Sequence, residues 1–319
     1  MRFVTYRLLE DQDLKDRVGV LEDGVIRELS GVTRLLDLLV APDGLLSAGQ
    51  TALGELSIPL REVHLRPPIP EPPSFRDFMA FEAHVEGTTL NYGPDAKPPK
   101  VWYRQPLFYF SNPTAMYGPY DEVPIAPGSQ MFDFELEVAA VIGHGGSNLT
   151  LQEAQESIAG YMVLNDWSAR DLQSREMTGN LGPSKGKDTA TTIGPALVTA
   201  DELEPFASGP SFALEMEVEI NGKRFGGDRL DNIAWSFAQL ISYASRGTKI
   251  ATGDIFGSGT CGMGCIAELW GREGHDHPML QAGDTVTMRV EELGEISNRL
   301  VDPAPIHDIG PSRTSSEPN

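Results

Sequence analysis

Asp133-Phe134-Glu135-Leu136-Glu137-Val138-Ala139-Ala140-Val141-Ile142 is rich in β-formers and reads as one strand. Side chains alternate faces along a strand, so Phe134, Leu136, Val138, Ala140 and Ile142 point one way. Glu135 and Glu137 point the other way, on a face continued by Ala139 and Val141. The acids therefore share a face with apolar residues, which predicts partial burial. Two carboxylates about 7 Å apart on such a face cost free energy unless a cation neutralises them. A hard divalent metal with oxygen ligands would do so. Taken alone, the stretch leaves a metal site and a solvated face equally open.

A second strand supplies a control. Ser211-Phe212-Ala213-Leu214-Glu215-Met216-Glu217-Val218-Glu219-Ile220 also alternates acids, but it runs into Asn221-Gly222, a hairpin-turn signal. No apolar residue follows its acids on their face. A solvated strand face is the expectation there.

The 319 residues suffice for one large domain and a small one. A composition that is 40% hydrophobic and 22% charged is that of a soluble globular protein. The formal charge of −21 argues against nucleic acid and against an anionic membrane surface. No apolar run approaches membrane-spanning length, and the first residues lack the apolar core of a signal peptide. Cys261 and Cys265 are too few for a disulfide framework, and their spacing is not that of a redox pair. Buried thiols in a reducing cytoplasm are expected.

Residues 1–66 read as a small β-rich N-terminal domain with a helix around 33–39, and 67–73 as a Pro-rich linker. Residues 74–305 read as the main domain, and 306–319 as a tail without fixed structure. Helices are expected at 151–158, at 168–175 with Ser168 as cap, and at 233–245 with Asn232 as cap. There is no internal repeat and no regular βα alternation.

A second polar cluster lies in Asn165-Asp166-Trp167-Ser168-Ala169-Arg170-Asp171-Leu172-Gln173. Arg170 and Gln173 would share a helix face, with Asp166 at the same end. A small-molecule site and an ordinary helix-start ion pair both fit this stretch. Upstream lies Arg76-Asp77-Phe78-Met79-Ala80-Phe81-Glu82-Ala83-His84; downstream, Lys185 and Lys187 lie in a polar loop that could meet an anion.

Together these pieces resemble the fumarylacetoacetate hydrolase family. The matching stretches are Arg-Asp-Phe…His at 76–84, Asp-Phe-Glu-Leu-Glu at 133–137, Asn-Asp-Trp-Ser-Ala-Arg-Asp-Leu-Gln at 165–173, Gly-Lys at 186–187 and Gly-Asp-Ile-Phe-Gly-Ser-Gly-Thr at 253–260, in the family's order. The resemblance implies an α+β, β-rich fold, with a mixed β-roll or β-barrel catalytic domain behind a small N-terminal domain. It implies a homodimer and Mg²⁺, with Mn²⁺ or Ca²⁺ as substitutes. The implied metal ligands are Glu135, Glu137, Asp166 and Asp77. His84 falls where the family places a water-activating base, and Glu268 where an acid orients that base. Arg170, Gln173 and Lys187 resemble the polar groups around the cleaved carbonyl. Tyr109 resembles a substrate-contacting tyrosine, Met79 stands where a substrate-facing tyrosine is usual, and Thr260 lies in the turn over the substrate's acid end. The sequence departs from smaller members at Gly87, where a lid glutamate is common three residues after the histidine, and at Phe110, where a lysine is common.

The activity implied is metal-assisted hydrolysis of a carbon–carbon bond in a 1,3-dicarbonyl such as an acylpyruvate or β-diketone. The alternatives are a lyase or isomerase of the same superfamily (β-keto-acid decarboxylase, hydratase or tautomerase) and a metal-binding protein without turnover. Two other motifs carry less. Gly257-x-Gly259-x-x-Gly262 follows a strand but is expected to lack the helix a dinucleotide needs, because 265–270 is short and stops at Gly271. His275-x-His277 reads as a surface loop.

Overall fold

The computed structural model describes the chain except residues 11–12, 42–43, 275–276, 311 and 314–319, and except the Glu55 side chain. The fold is α+β and strand-rich. The acidic stretch is not one strand. Phe132–Asp133 pairs with Ser168–Ala169, and the strand proper is Leu136–Ile142. Between them the chain serves its neighbours: the Glu135 N–H donates to Asn165 Oδ1 at 3.0 Å, and the Leu136 N–H to the Gly264 carbonyl at 3.0 Å.

Leu136–Ile142 lies deep in a 12-stranded sheet of the described residues. Its main path runs Leu53–Pro59, Val25–Leu29, Arg17–Glu22, Arg2–Leu8, Thr191–Thr199, Ile158–Asp166, Leu136–Ile142, Ile255–Gly257, Phe75–Phe78, Phe108–Ser111. The two end strands do not pair, so this sheet is not a closed barrel. Residues 1–66 join the same sheet as residues 74–305, through Arg2–Leu8 against Thr191–Thr199. A five-stranded sheet holds Glu215–Ile220 between Lys223–Arg229 and Thr285–Val290.

The period-two alternation of Leu136–Ile142 feeds two cores. Leu136, Val138, Ala140 and Ile142 join the larger one with Trp167, Leu240 and Met288. Ala139 and Val141 join a second, with Phe3, Leu35, Leu38 and Leu164. A strand covered on both faces reads as a nearly continuous apolar run, so acids embedded in it need a special reason.

Register then gathers the acids. Gly257 pairs with Ala139 on one side and with Asp77 on the other, which brings the Asp77 strand alongside the Glu137 strand. A Cβ at Gly257 would lie 2.3 Å from Asp77 Oδ1 and 2.9 Å from Glu137 Oε2, so only glycine lets these carboxylates approach. Asp166 ends Ile158–Asp166, and Tyr109 stands opposite Asp77.

Helix ends differ from the sequence expectations. Ser236, with Gln239 completing a capping box, starts Phe237–Ala244; Asn232 instead donates to Asp228. Ala169 precedes Arg170–Met177, while the Ser168 hydroxyl donates to the Asp166 carbonyl at 3.0 Å. The segment after Cys265 is a full helix, Ile266–Glu273, running through Gly271. Another helix, Glu82–Thr89, carries His84. Among the described residues, no helix is long and apolar enough to cross a membrane. The His275 half of the His-x-His motif and the end of the expected tail (311 and 314–319) lie outside the described residues.

Candidate metal centre

Asp77, Glu135, Glu137 and Asp166 each place a carboxylate oxygen within 4.8 Å of the others, and all four are buried. Lys187, 3% exposed, is their nearest cation; its Nζ donates to Glu135 Oε2 at 2.5 Å and to Asp166 Oδ2 at 2.6 Å. Arg170 donates through Nη1 to Glu135 Oε1 at 2.7 Å and to Gln173 Oε1 at 3.3 Å, and through Nε to Asp133 Oδ2 at 2.8 Å. The Tyr109 hydroxyl donates to Asp166 Oδ2.

Two cations do not balance this quartet, since Arg170 is shared with Asp133. The imbalance is uneven. Burial works to raise Glu135, but Lys187 and Arg170 outweigh it and bring its carboxyl down to about 2. Asp77 has no such partner: burial, then the charge of Asp166, pushes it up to about 8. Burial and the neighbouring Asp77 hold Glu137 well above the carboxylate range, and burial also raises Asp166. Burial followed by Asp166 holds the Tyr109 phenol well above its ordinary value, so it stays a neutral donor.

Three buried oxygens of this group, Asp77 Oδ1, Glu137 Oε1 and Asp166 Oδ1, have no hydrogen-bond partner. Unpartnered buried acceptors are costly and call for an explanation. An all-oxygen set of carboxylates suits a hard divalent cation, which would satisfy all three at once. The donor set therefore fits a metal such as Mg²⁺ or Mn²⁺.

His84 and Glu268 meet at the edge of this cluster. His84 Nδ1 lies 3.2 Å from Glu268 Oε2, and the ring approaches Glu135 and Cys265 within 4.8 Å. The other Glu268 oxygen accepts from Arg272 Nε at 2.8 Å. Thr260 is buried in the loop beyond Ile255–Gly257, where Gly259 packs against Met79 Cα and donates its N–H to Glu137 Oε2 at 3.0 Å. Gly257 and Gly259 of the glycine pattern at 257–262 thus serve carboxylates of the quartet, while the Gly262 N–H donates to Asp228 Oδ2 at 2.7 Å. Phe110 is 62% exposed, under the Arg76 guanidinium at 4.6 Å. Cys261 and Cys265 are free and buried.

Sequence reasoning passed over Asp133. Its Oδ1 accepts from the Ile266 N–H at 2.9 Å, its Oδ2 from the Ala267 N–H at 3.0 Å, and it also binds Arg170. It thus ties the start of the Glu268 helix to the Arg170 helix, as suits an anion at a helix N-terminus. Nothing in its spacing announced this. Arg272 was also passed over, although Glu268 and Arg272 stand four apart, the spacing of a helical ion pair.

Residues 74–301 match the family model described as Fumarylacetoacetate (FAA) hydrolase C-terminal. Fumarylacetoacetase of Arabidopsis thaliana is 29% identical over 268 residues, which are 67% of this chain and 63% of that protein. The chain thus spans less than two thirds of that relative. Oxaloacetate tautomerase YisK of Bacillus subtilis is 28% identical over 251 residues, 78% of this chain and 76% of that one. Among solved structures, a probable 2-hydroxyhepta-2,4-diene-1,7-dioate isomerase from Mycobacterium abscessus superposes with a TM-score of 0.71 at 25% identity, covering 96% of this chain and all (100%) of that one. Maleylpyruvate hydrolase from Sphingobium sp. SYK-6, in complex with manganese(II) ion and pyruvate, superposes with a TM-score of 0.69 at 22% identity, over 95% and 100% of the two chains.

Proposed function

The chain belongs to the fumarylacetoacetate hydrolase family, and we propose that it is a metal-dependent hydrolase cleaving a carbon–carbon bond in a 1,3-dicarbonyl acid of the acylpyruvate type. That family contains hydrolases, isomerases and tautomerases. The observation that carries the hydrolytic reading is the His84–Glu268 pair standing beside Glu135, since a decarboxylase or tautomerase needs no base for water.

Asp77, Glu135, Glu137 and Asp166 would hold the cation, which when bound supplies Lewis-acid polarisation of the substrate's paired oxygens and charge for the leaving enolate. The residues of the chain do the rest. Glu268 accepts from His84 Nδ1–H and so leaves Nε2 free to take a proton from water. The hydroxide so formed adds to the carbonyl carbon next to the bond that breaks. Lys187 has three N–H donors and spends two on Glu135 and Asp166, so the third can stabilise the developing oxyanion. Arg170, which holds the other Glu135 oxygen, and Gln173 beside it would add to that stabilisation. Collapse of the adduct breaks the carbon–carbon bond, and protonation of the enolate carbon, with the proton held at His84 as one source, completes it.

A tautomerase reading is supported by the likeness to YisK, and it would use the same quartet without an attacking water. Product analysis decides. Incubated with Mg²⁺ and a panel of acylpyruvates and β-diketones in oxygen-18 water, the enzyme should release a carboxylate carrying one solvent label from the attacked carbonyl. Enol–keto interconversion of oxaloacetate with no cleavage of any panel member would overturn the hydrolase reading.

A further inference from the structure

The helices Glu82–Thr89 and Ile266–Glu273 cross where neither has a side chain. A Cβ on Gly87 would lie 2.4 Å from Glu268 Cγ and 2.9 Å from Arg272 Nε; one on Gly271 would lie 2.0 Å from the Gly87 carbonyl oxygen. This contact lets the fully buried Glu268 reach His84 across the helix interface. It also accounts for the departure at position 87: a lid glutamate three residues after the histidine would collide with the acid that already serves the ring.

Arg272 closes the arrangement. Its Nε donates to Glu268 Oε1 at 2.8 Å, while its Nη2 donates to the Ala83 carbonyl at 2.6 Å, one residue before His84. Glu268 Oε2 is fixed from the other side by the Met263 N–H at 2.8 Å. One guanidinium thus grips both the carboxylate and the backbone of the helix that carries the imidazole. A planar fork with several donors can do this; a single ammonium cannot hold both acceptors in fixed geometry. Asn91 adds a further tie between the helices, donating to the Ala267 carbonyl at 2.8 Å.

We propose that Arg272 is a positioning residue for the His84–Glu268 pair, holding the two at hydrogen-bonding distance although it touches none of the metal-site carboxylates. The proposal rests on the reading of His84 as the base that activates water. Removing the guanidinium leaves Glu268 buried without its counter-charge, an arrangement relieved by turning the carboxylate away from the ring.

The test uses the full chain loaded with Mg²⁺ and the acylpyruvate turned over fastest in the panel. Arg272→Met should lower kcat by about 10–100-fold, the range of other outer partners that orient a functional side chain. KM and Mg²⁺ affinity should stay within about twofold, the split expected when only transition-state stabilisation is lost. Arg272→Lys should recover part of the loss. Because Arg272 acts through Glu268, adding Arg272→Met to Glu268→Gln should slow the enzyme by no more than about twofold further, a coupled pair in a double-mutant cycle. Wild-type kcat in Arg272→Met, a multiplicative loss on top of Glu268→Gln, or Mg²⁺ affinity falling in step with kcat would each overturn the proposal. Should Arg272→Met fail to fold, Arg272→Lys decides: reduced kcat at unchanged KM supports the proposal, and wild-type kcat overturns it. His84→Ala separates the two readings. If that variant hydrolyses at the wild-type rate, the water-activation reading falls and this proposal with it; if it loses hydrolysis while Arg272→Met does not, this proposal falls alone.

Discussion

Two stretches of this chain carry acids at every second position, and they meet opposite fates. Glu135 and Glu137 stand at the head of a strand covered on both faces, with Asp77 and Asp166 brought against them. Glu215, Glu217 and Glu219 line a strand whose acids face outward, and each finds an arginine at the surface: Arg229 at 3.0 Å, Arg224 at 3.2 Å and Arg289 at 2.7 Å. The outer triplet ends in a tight turn, with φ of 54° at Asn221 and 73° at Gly222. Exposed pairs of that kind contribute about 0–1 kcal/mol each, and their acids need nothing further. The inner acids have two cations for four carboxylates and three buried oxygens without partners. The same spacing therefore makes a candidate cation site only where neighbouring strands add charge and withhold water.

The largest expected effect tests the base. His84→Ala should reduce kcat for hydrolysis by about 10²–10⁴-fold while Mg²⁺ affinity stays near wild type, because His84 is read as a base and not a ligand. A comparable loss of metal affinity would move His84 into the coordination set. Next, Glu137→Gln should weaken Mg²⁺ or Mn²⁺ binding by about 10²-fold or more, since even outer partners of metal ligands cost 10–100-fold; calorimetric titration reads this. Gly87→Ala should destabilise the protein by about 1–3 kcal/mol in chemical denaturation, because the added methyl meets Glu268 Cγ inside a packed helix contact. The smallest effect belongs to the outer strand. Glu217→Gln should change stability by no more than about 0.5 kcal/mol and leave turnover unaltered. If Glu217→Gln cost metal or activity, the contrast between the strands would be lost.

The residues alone marked the outer triplet as a solvated face through Asn221-Gly222; for Glu135 and Glu137 they predicted partial burial through Ala139 and Val141 and left metal site and solvated face equally open. The convergence of the four carboxylates was legible through the resemblance, since the family's order of short blocks survives in the chain. Helix boundaries were less so. Ser236 and Asn232 are both good caps, and only the position of Gln239 as capping-box partner favours Ser236. The Glu82–Thr89 helix contains Gly87, Thr88 and Thr89, weak helix formers without a long apolar stripe, and it is held by tertiary packing against Ile266–Glu273. Gly271 looked like a stop; in three dimensions it is the point of contact. Asp133 and Arg272 matter through partners more than a hundred residues away, Ile266 and Ala83, and no local pattern reports such contacts.

Proton-linked metal binding tests most directly whether the buried quartet is a cation site. Asp77 is raised from 3.8 to about 8 in the folded, metal-free protein. The folded state thus binds this proton more tightly than the unfolded one. Its contribution to stability is full below pH 3.8 and is lost as the pH rises through about 8. A cation replaces that proton, so binding must release it. Titrating metal-free protein with Mg²⁺ at pH 7, in two buffers of different ionisation enthalpy, should show one ion per chain with proton release, affinity rising up to about pH 8, and a thermal midpoint that gains more from Mg²⁺ at pH 8 than at pH 5. Failure to bind a divalent ion, or binding unchanged by Glu137→Gln and accompanied by no proton release, would contradict the account.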